Sequence, residues 1–248
     1  MWTRTSDRWS SKPGAWDRLN MSKIYPSSNK YGIPDLKAPT VLELPEPPTC
    51  LIPYNIRVRS QLGYADAAMH FFIDDYRFEL AWSNPEQAFQ RISKAWLALT
   101  PDFSLYTDYP MTAQLWNTYR NRWCGAFWQS QGLIVIPSIS WSDESSYEFC
   151  FEGVESGSPV AISTQGIKWD ETTTKNFISG YDEMINRISP RFVVCYGKMD
   201  NELKLRHPDT LIKTYPTYWE NLKKARKAGQ QDKFFTGELE AHTQLEID

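Results

Sequence analysis

The chain has 248 residues, 41% of them hydrophobic and 15% aromatic, and a formal net charge of −3. That is enough apolar surface to bury a sizeable core, which excludes global disorder. The charge argues against a protein that coats a nucleic-acid duplex, although a local basic groove is still allowed. No apolar run reaches the length of a membrane span, and the first residues (Met1, Trp2, Thr3, Arg4, Thr5) lack the apolar core of a secretory signal. The four cysteines, Cys50, Cys124, Cys150 and Cys195, are scattered and form no zinc spacing. The expectation is a reducing, cytoplasmic setting with buried thiols and no membrane association.

Residues 1–49 are rich in Ser, Pro, Lys and Asp and read as an extended N-terminal arm. Trp2, Trp9 and Trp16 recur every seven residues in it, which suits anchors packed on the arm's own domain or a docking segment for a partner. From residue 50 to 228 short apolar runs alternate with helical patterns, and a polar tail (229–248) follows. Six runs contain predicted strands: Cys50 to Tyr54, Ala68 to Ile73, Leu97 to Phe103 (a strand turning into a loop), Leu133 to Ile136, Pro159 to Thr164 and Arg191 to Gly197. A weaker apolar segment surrounds Cys150. Predicted helices open at Ser83, as N-cap ahead of Pro85 and Glu86, and at Tyr109-Pro110, the latter stopping at Gly132. Two more cover Phe177 to Ile188 and Pro216 to Ala228, the last with a basic end.

Continuously apolar strands are buried on both faces, and their alternation with helices marks parallel βαβ units. The fold class is therefore α/β with a mostly parallel sheet. Six strands are two short of a complete eight-stranded barrel, so a reduced or irregular TIM-barrel-like single domain fits, with an open sheet as the other arrangement.

In parallel α/β folds, functional groups gather at the carboxyl ends of the strands. That rule selects Asn55, Asp74, Asp75, Arg77, Asp102, Ser138, Ser140, Trp141, Ser163, Thr164, Tyr196 and Lys198. Asp74, Asp75 and Asp102 are the candidate catalytic carboxylates, suited to acid–base work or to a divalent cation, Mg²⁺ being the candidate ion. Strand alternation would put Asp75 and Arg77 on one face. Asn117, Arg120 and Asn121 share a helix face, and with Arg122 they have the chemistry to read phosphates or carboxylates. Asn55, Arg77, Asn117, Arg120, Asn121, Arg122, Ser138, Trp141, Ser163 and Tyr196 are thus the candidate substrate-binding residues. The plainer readings are an Asp-Arg ion pair that locks the strand end in the 70–79 cluster, and Arg120 or Arg122 pairing with Asp75, Asp102 or Asp108. His70, inside an apolar run, reads as a core histidine. No Walker loop, GxGxxG, HExxH or GxSxG is present.

The stretches YGIP (31–34), IPYN (52–55), HFFIDDYRFE (70–79), PDFS (101–104), NTYRNRWCG (117–125), VIPSISW (135–141), FCFEGV (149–154), VAISTQG (160–166), Gly180-Tyr181 and Cys195-Tyr196-Gly197 follow one another in the order found in the DUF4417 family. The chain resembles that family over residues 31–198. The resemblance implies a phage- or mobile-element-associated protein and carries no activity with it. The functional expectation is a hydrolase or transferase acting on nucleic acid or nucleotide through rim carboxylates and Arg. The alternative is a non-catalytic assembly module that docks a phage or host protein through its Trp-bearing arm.

Overall fold

The computed structural model describes residues 17–55, 67–167, 170–199 and 201–229. Strands and helices alternate along it. The elements are β1 (Cys50–Pro53), β2 (Ala67–His70), α1 (Leu80–Ser83), α2 (Pro85–Ile92), β3 (Leu97–Leu99), α3 (Met111–Ser130) and β4 (Ile134–Ile136). Then come β5 (Val160–Ser163), α4 (Glu171–Ile188), β6 (Phe192–Tyr196), α5 (Asn201–Arg206), β7 (Leu211–Tyr215) and α6 (Tyr218–Lys227). Among the described residues no helix is long and apolar enough to cross a membrane.

Every strand pairing is parallel. One sheet has the order β1-β2-β3-β4 and the other β5-β6-β7. A parallel bridge between Ser138 and Ala161 joins them, with Ile139 N–H donating to the Ala161 carbonyl at 2.7 Å and Ala161 N–H to that of Pro137 at 2.9 Å. At the other end of the order, the Lys213 ammonium of β7 donates to the Pro48 carbonyl at 2.8 Å, just ahead of β1, and the Tyr215 hydroxyl donates to the same oxygen. One buried cluster takes side chains from all seven strands: Leu51, Ala68, Leu97, Leu99, Ile136, Ala161, Phe192, Val194, Tyr196 and Tyr215. Two outer clusters back this interior. One packs α1, α2 and α3 behind β2, β3 and β4; the other packs α4 and the 147–151 turn behind β5 and β6.

Several sequence expectations change. The described residues form seven strands, because residues 211–215 pair along β6. The strand expected over Ala68 to Ile73 ends early, at His70, while the expected turn from strand into loop within Leu97 to Phe103 comes at Leu99. Residues 75–77 form a 3₁₀ turn, so strand alternation does not place Asp75 beside Arg77; Arg77 bonds Asp74 instead. Phe149, Cys150 and Phe151 lie in turns. Asn84, not Ser83, caps α2, accepting the Gln87 N–H, because Ser83 is already the last residue of α1.

Residues 17–49 contain turns and an isolated bridge between Leu36 and Val154. Ile33 and Leu44 are fully buried in the body of the protein. Trp2, Trp9 and Trp16 lie outside the described residues, as does the tail from 230 onward. Cys124, Cys150 and Cys195 are buried, and burial raises all three thiols, Cys150 and Cys195 to about 12.

Candidate functional site

Because the strands are parallel, their carboxyl ends share one rim, and two adjoining cavities open there. The larger, about 490 Å³, is lined by the loops after β2, β3 and β5: Asp74, Asp75, Tyr76, Asp102, Ser104, Tyr106, Tyr109, Ser163 and Gln165 are among its residues. The smaller, about 320 Å³, lies between the loops after β3 and β4 and helix α4, with Ser140, Trp141, Asn176 and Phe177 in its wall. Asp102, Tyr106 and Ser163 line both.

Asp102 is the electrostatic centre of this rim. It is only partly buried by area, since it borders both cavities, yet its carboxyl is surrounded by protein. Burial, then the negative charge of Asp75, push that carboxyl up to about 7, against a Ser140 hydrogen bond that pulls it down. A carboxyl poised there exchanges a proton readily near neutral pH. Asp75 is held in place by Ser104, whose N–H donates to it at 3.1 Å and whose hydroxyl donates at 2.9 Å. Ser104 is anchored in turn, its carbonyl accepting the Asn117 amide at 2.7 Å.

The far wall is equally fixed. Trp141 donates its indole N–H to the Asn176 carbonyl of α4 at 3.2 Å, and its ring lies 5.6 Å from Phe177. It can sit there because residue 180 is glycine: a Cβ at Gly180 would fall 2.2 Å from the indole nitrogen. At the rim between β5 and β6, Gly197 has φ +111°, and a Cβ there would lie 2.3 Å from the Thr164 hydroxyl, which itself bonds the Lys198 carbonyl.

Of the residues expected from sequence, Asp74, Asp75, Asp102, Ser140, Trp141 and Ser163 line the cavities. The others lie elsewhere. Arg122 is fully buried and donates to the carbonyls of Ser138 (3.1 Å), Cys150 (2.8 Å) and Glu152 (3.0 Å). Burial lowers its guanidinium to about 10. Asn121 donates to the carbonyls of Pro101 and Ser138. Arg120 pairs with Glu79 at 3.0 Å and lies over Phe103, so neither arginine pairs with Asp75, Asp102 or Asp108. This network encloses a void of only about 10 Å³, room for about one water. It positions the rim loops from behind. Ser138 is buried and exchanges hydrogen bonds with Thr100. Tyr196 is buried, stacked on Phe72 and tilted against His70, its hydroxyl oxygen accepting the Tyr218 N–H at 2.9 Å. Asn55 is exposed beyond β1.

No Lys or Arg lines either cavity among the described residues. Nor, among them, do three or more His, Cys, Asp or Glu side chains group to hold a metal ion. Sequence reasoning missed Ser104, Tyr109 and Asn176. The available signal was local: Ser104 follows Asp102 within one loop, and Tyr109 closes the polar Thr107-Asp108-Tyr109 run that opens α3.

No solved structure matches the chain significantly. The "Gene 1 protein" of Mycobacterium phage L5 is 43% identical over 227 residues, covering 90% of this chain and 94% of that protein. The "Gene 1 protein" of Mycobacterium phage D29 is 42% identical over 223 residues, covering 90% of this chain and 80% of its own length. Both relatives are bacteriophage proteins, and the chain is phage-associated. The sequence model described as "Domain of unknown function (DUF4417)" matches residues 25–216, a span that takes in all seven strands and the whole rim, and the chain belongs to that family.

Proposed function

We propose that the rim is the acid–base site of a hydrolase or transferase, with Asp102 as the group that gives and takes the proton. The supporting observation is the position of Asp102 where the two cavities meet, with its carboxyl raised to about 7 by burial and by Asp75. The order of the strands, the bridge between the sheets and the bonds from β7 to Pro48 suit a seven-stranded, barrel-like ring, whose carboxyl-end mouth is where such a site belongs. Asp75, held by Ser104, tunes Asp102 and completes a carboxylate pair. Trp141 and Phe177 offer an aromatic wall to the part of the substrate in the smaller cavity.

The phosphate grip expected of Arg77, Arg120 and Arg122 has no support in this geometry. Their charges are committed to Asp74, Glu79 and backbone carbonyls, and the cavities present carboxylates. The reacting part of the substrate is therefore uncharged or cationic, and a nucleotide would present its base or sugar here. The test is turnover on a panel of chromogenic esters, amides and glycosides, with and without Asp102→Asn. The expected result is a pH–rate limb near 7 and a loss of about 10²–10⁴-fold in the variant, with folding retained. Undiminished turnover in Asp102→Asn would contradict the proposal.

A further inference from the structure

The acid–base reading leaves the outer wall of the larger cavity unexplained. Three tyrosines stand there in the open: Tyr76 is 73% exposed, Tyr106 54% and Tyr109 40%. Tyr106 and Tyr109 meet edge to face, their centroids 5.0 Å apart. The aromatic wall is tied to the carboxylates, because the Ser104 hydroxyl that holds Asp75 also lies 3.3 Å from the Tyr106 hydroxyl. Ring faces attract cations through their quadrupole, and carboxylates attract them through charge. Here both line one concave space of about 490 Å³ whose described lining contains no Lys or Arg.

The same chemistry is already at work at the edge of the cavity. The Arg77 guanidinium lies over the Tyr76 ring at 5.1 Å and bonds Asp74 at 2.9 Å. The inner set, Asp75 and Asp102 with Tyr106 and Tyr109, repeats that combination of ring and carboxylate and has room for a ligand. A phosphate or carboxylate ligand would meet Asp75 and Asp102 with no Lys or Arg in the described lining, and Arg77 at the edge is paired with Asp74.

We propose that this cavity takes an organic ammonium group, seated against Tyr106 and Tyr109 with its N–H bonds directed at Asp75 and Asp102. The inference deepens the acid–base reading by naming its substrate class, and it shares Asp102 with it. An ammonium group has two sources, a free diamine or polyamine and a lysine side chain of a peptide.

The test is titration calorimetry on the full chain at low ionic strength, with putrescine, a blocked lysine tripeptide, tetramethylammonium and inorganic phosphate as separate probes. Putrescine or the tripeptide binds more tightly than tetramethylammonium, which has no N–H, and Tyr106→Leu and Asp75→Asn each weaken that binding about 3- to 30-fold. Putrescine binding above the tripeptide assigns a free amine; the reverse order assigns a lysine side chain. Tyr109→Leu serves if either variant melts below the parent chain. The proposal is overturned if no ammonium probe binds, if binding is indifferent to the substitutions, or if phosphate binds in their place. A carboxyl titration of Asp102 in the same sample separates the two readings: a value near 7 with no amine binding removes only the ligand class, while amine binding with an ordinary Asp102 removes only the acid–base role.

Discussion

At the scale of single residues, Asp102 works against the fold it belongs to. Its folded value of about 7 stands above the ordinary 3.8, so the folded chain keeps a proton that the unfolded chain has already released. The stability linked to that proton is fully present below about pH 4 and is lost as the pH rises through about 7. Asp102→Asn removes the charge and its penalty. The variant is expected to be more stable than the parent by about 1–3 kcal/mol at pH 8, a figure reduced from the full shift because the cavities admit water. At pH 4 the two chains should melt within a few tenths of a kcal/mol of each other. Paired thermal melts at the two pH values check this. Asp75→Asn should move the Asp102 value downward, since it removes a like charge, while the retained side-chain oxygen keeps the Ser104 N–H bond and the new amide can donate to the Ser104 hydroxyl.

At the scale of elements, α3 is the piece that fixes the rim. Residues 121–128 are buried all round, so the helix runs through the body of the protein. Its polar side chains have no water to bond and instead collect the carbonyls of the rim loops: Asn117 takes Ser104, Asn121 takes Pro101 and Ser138, and Arg122 takes Ser138, Cys150 and Glu152. Arg122→Met takes the guanidinium from the Cys150 and Glu152 carbonyls and leaves Ser138 to Asn121 alone, and is expected to cost about 3–5 kcal/mol, measured by denaturant unfolding. Gly180→Ala drives a methyl into the Trp141 indole. Its expected cost is about 1–3 kcal/mol, with a shift of the Trp141 indole N–H resonance as the bond to Asn176 is lost. These contacts commit Arg120 and Arg122 to Glu79 and to backbone carbonyls rather than to the cavities. The spacing of Asn117, Arg120 and Asn121 correctly puts them on one helix face, but spacing does not tell whether that face meets solvent or the loops. The carboxylates were legible because strand ends follow from apolar runs, and Asp102 lies just past one of them.

At the scale of the whole molecule, the seven strands of the described residues pair in parallel and contribute to one buried cluster. Six could be read as unbroken apolar runs, since a strand buried on both faces needs no alternation. β7 escaped that reading because only Tyr215 in it is buried, with Lys213 and Thr214 half-exposed, so Leu211 to Tyr215 carries no continuous apolar signal. Yet β7 brings the far end of the strand order to Pro48, through Lys213 and Tyr215. Tyr215→Phe should therefore cost about 0.5–1.5 kcal/mol of stability, read by chemical unfolding.

The claim on which this account turns is that one rim carboxyl, shared by two cavities, holds its proton at neutral pH. The direct measurement is an NMR titration of the side-chain carboxyl carbons in the full chain, with Asp102 assigned by comparison with Asp102→Asn. A midpoint near 7 that falls in Asp75→Asn is the predicted result. A midpoint in the ordinary aspartate range, about 4, unmoved by Asp75→Asn, would contradict it.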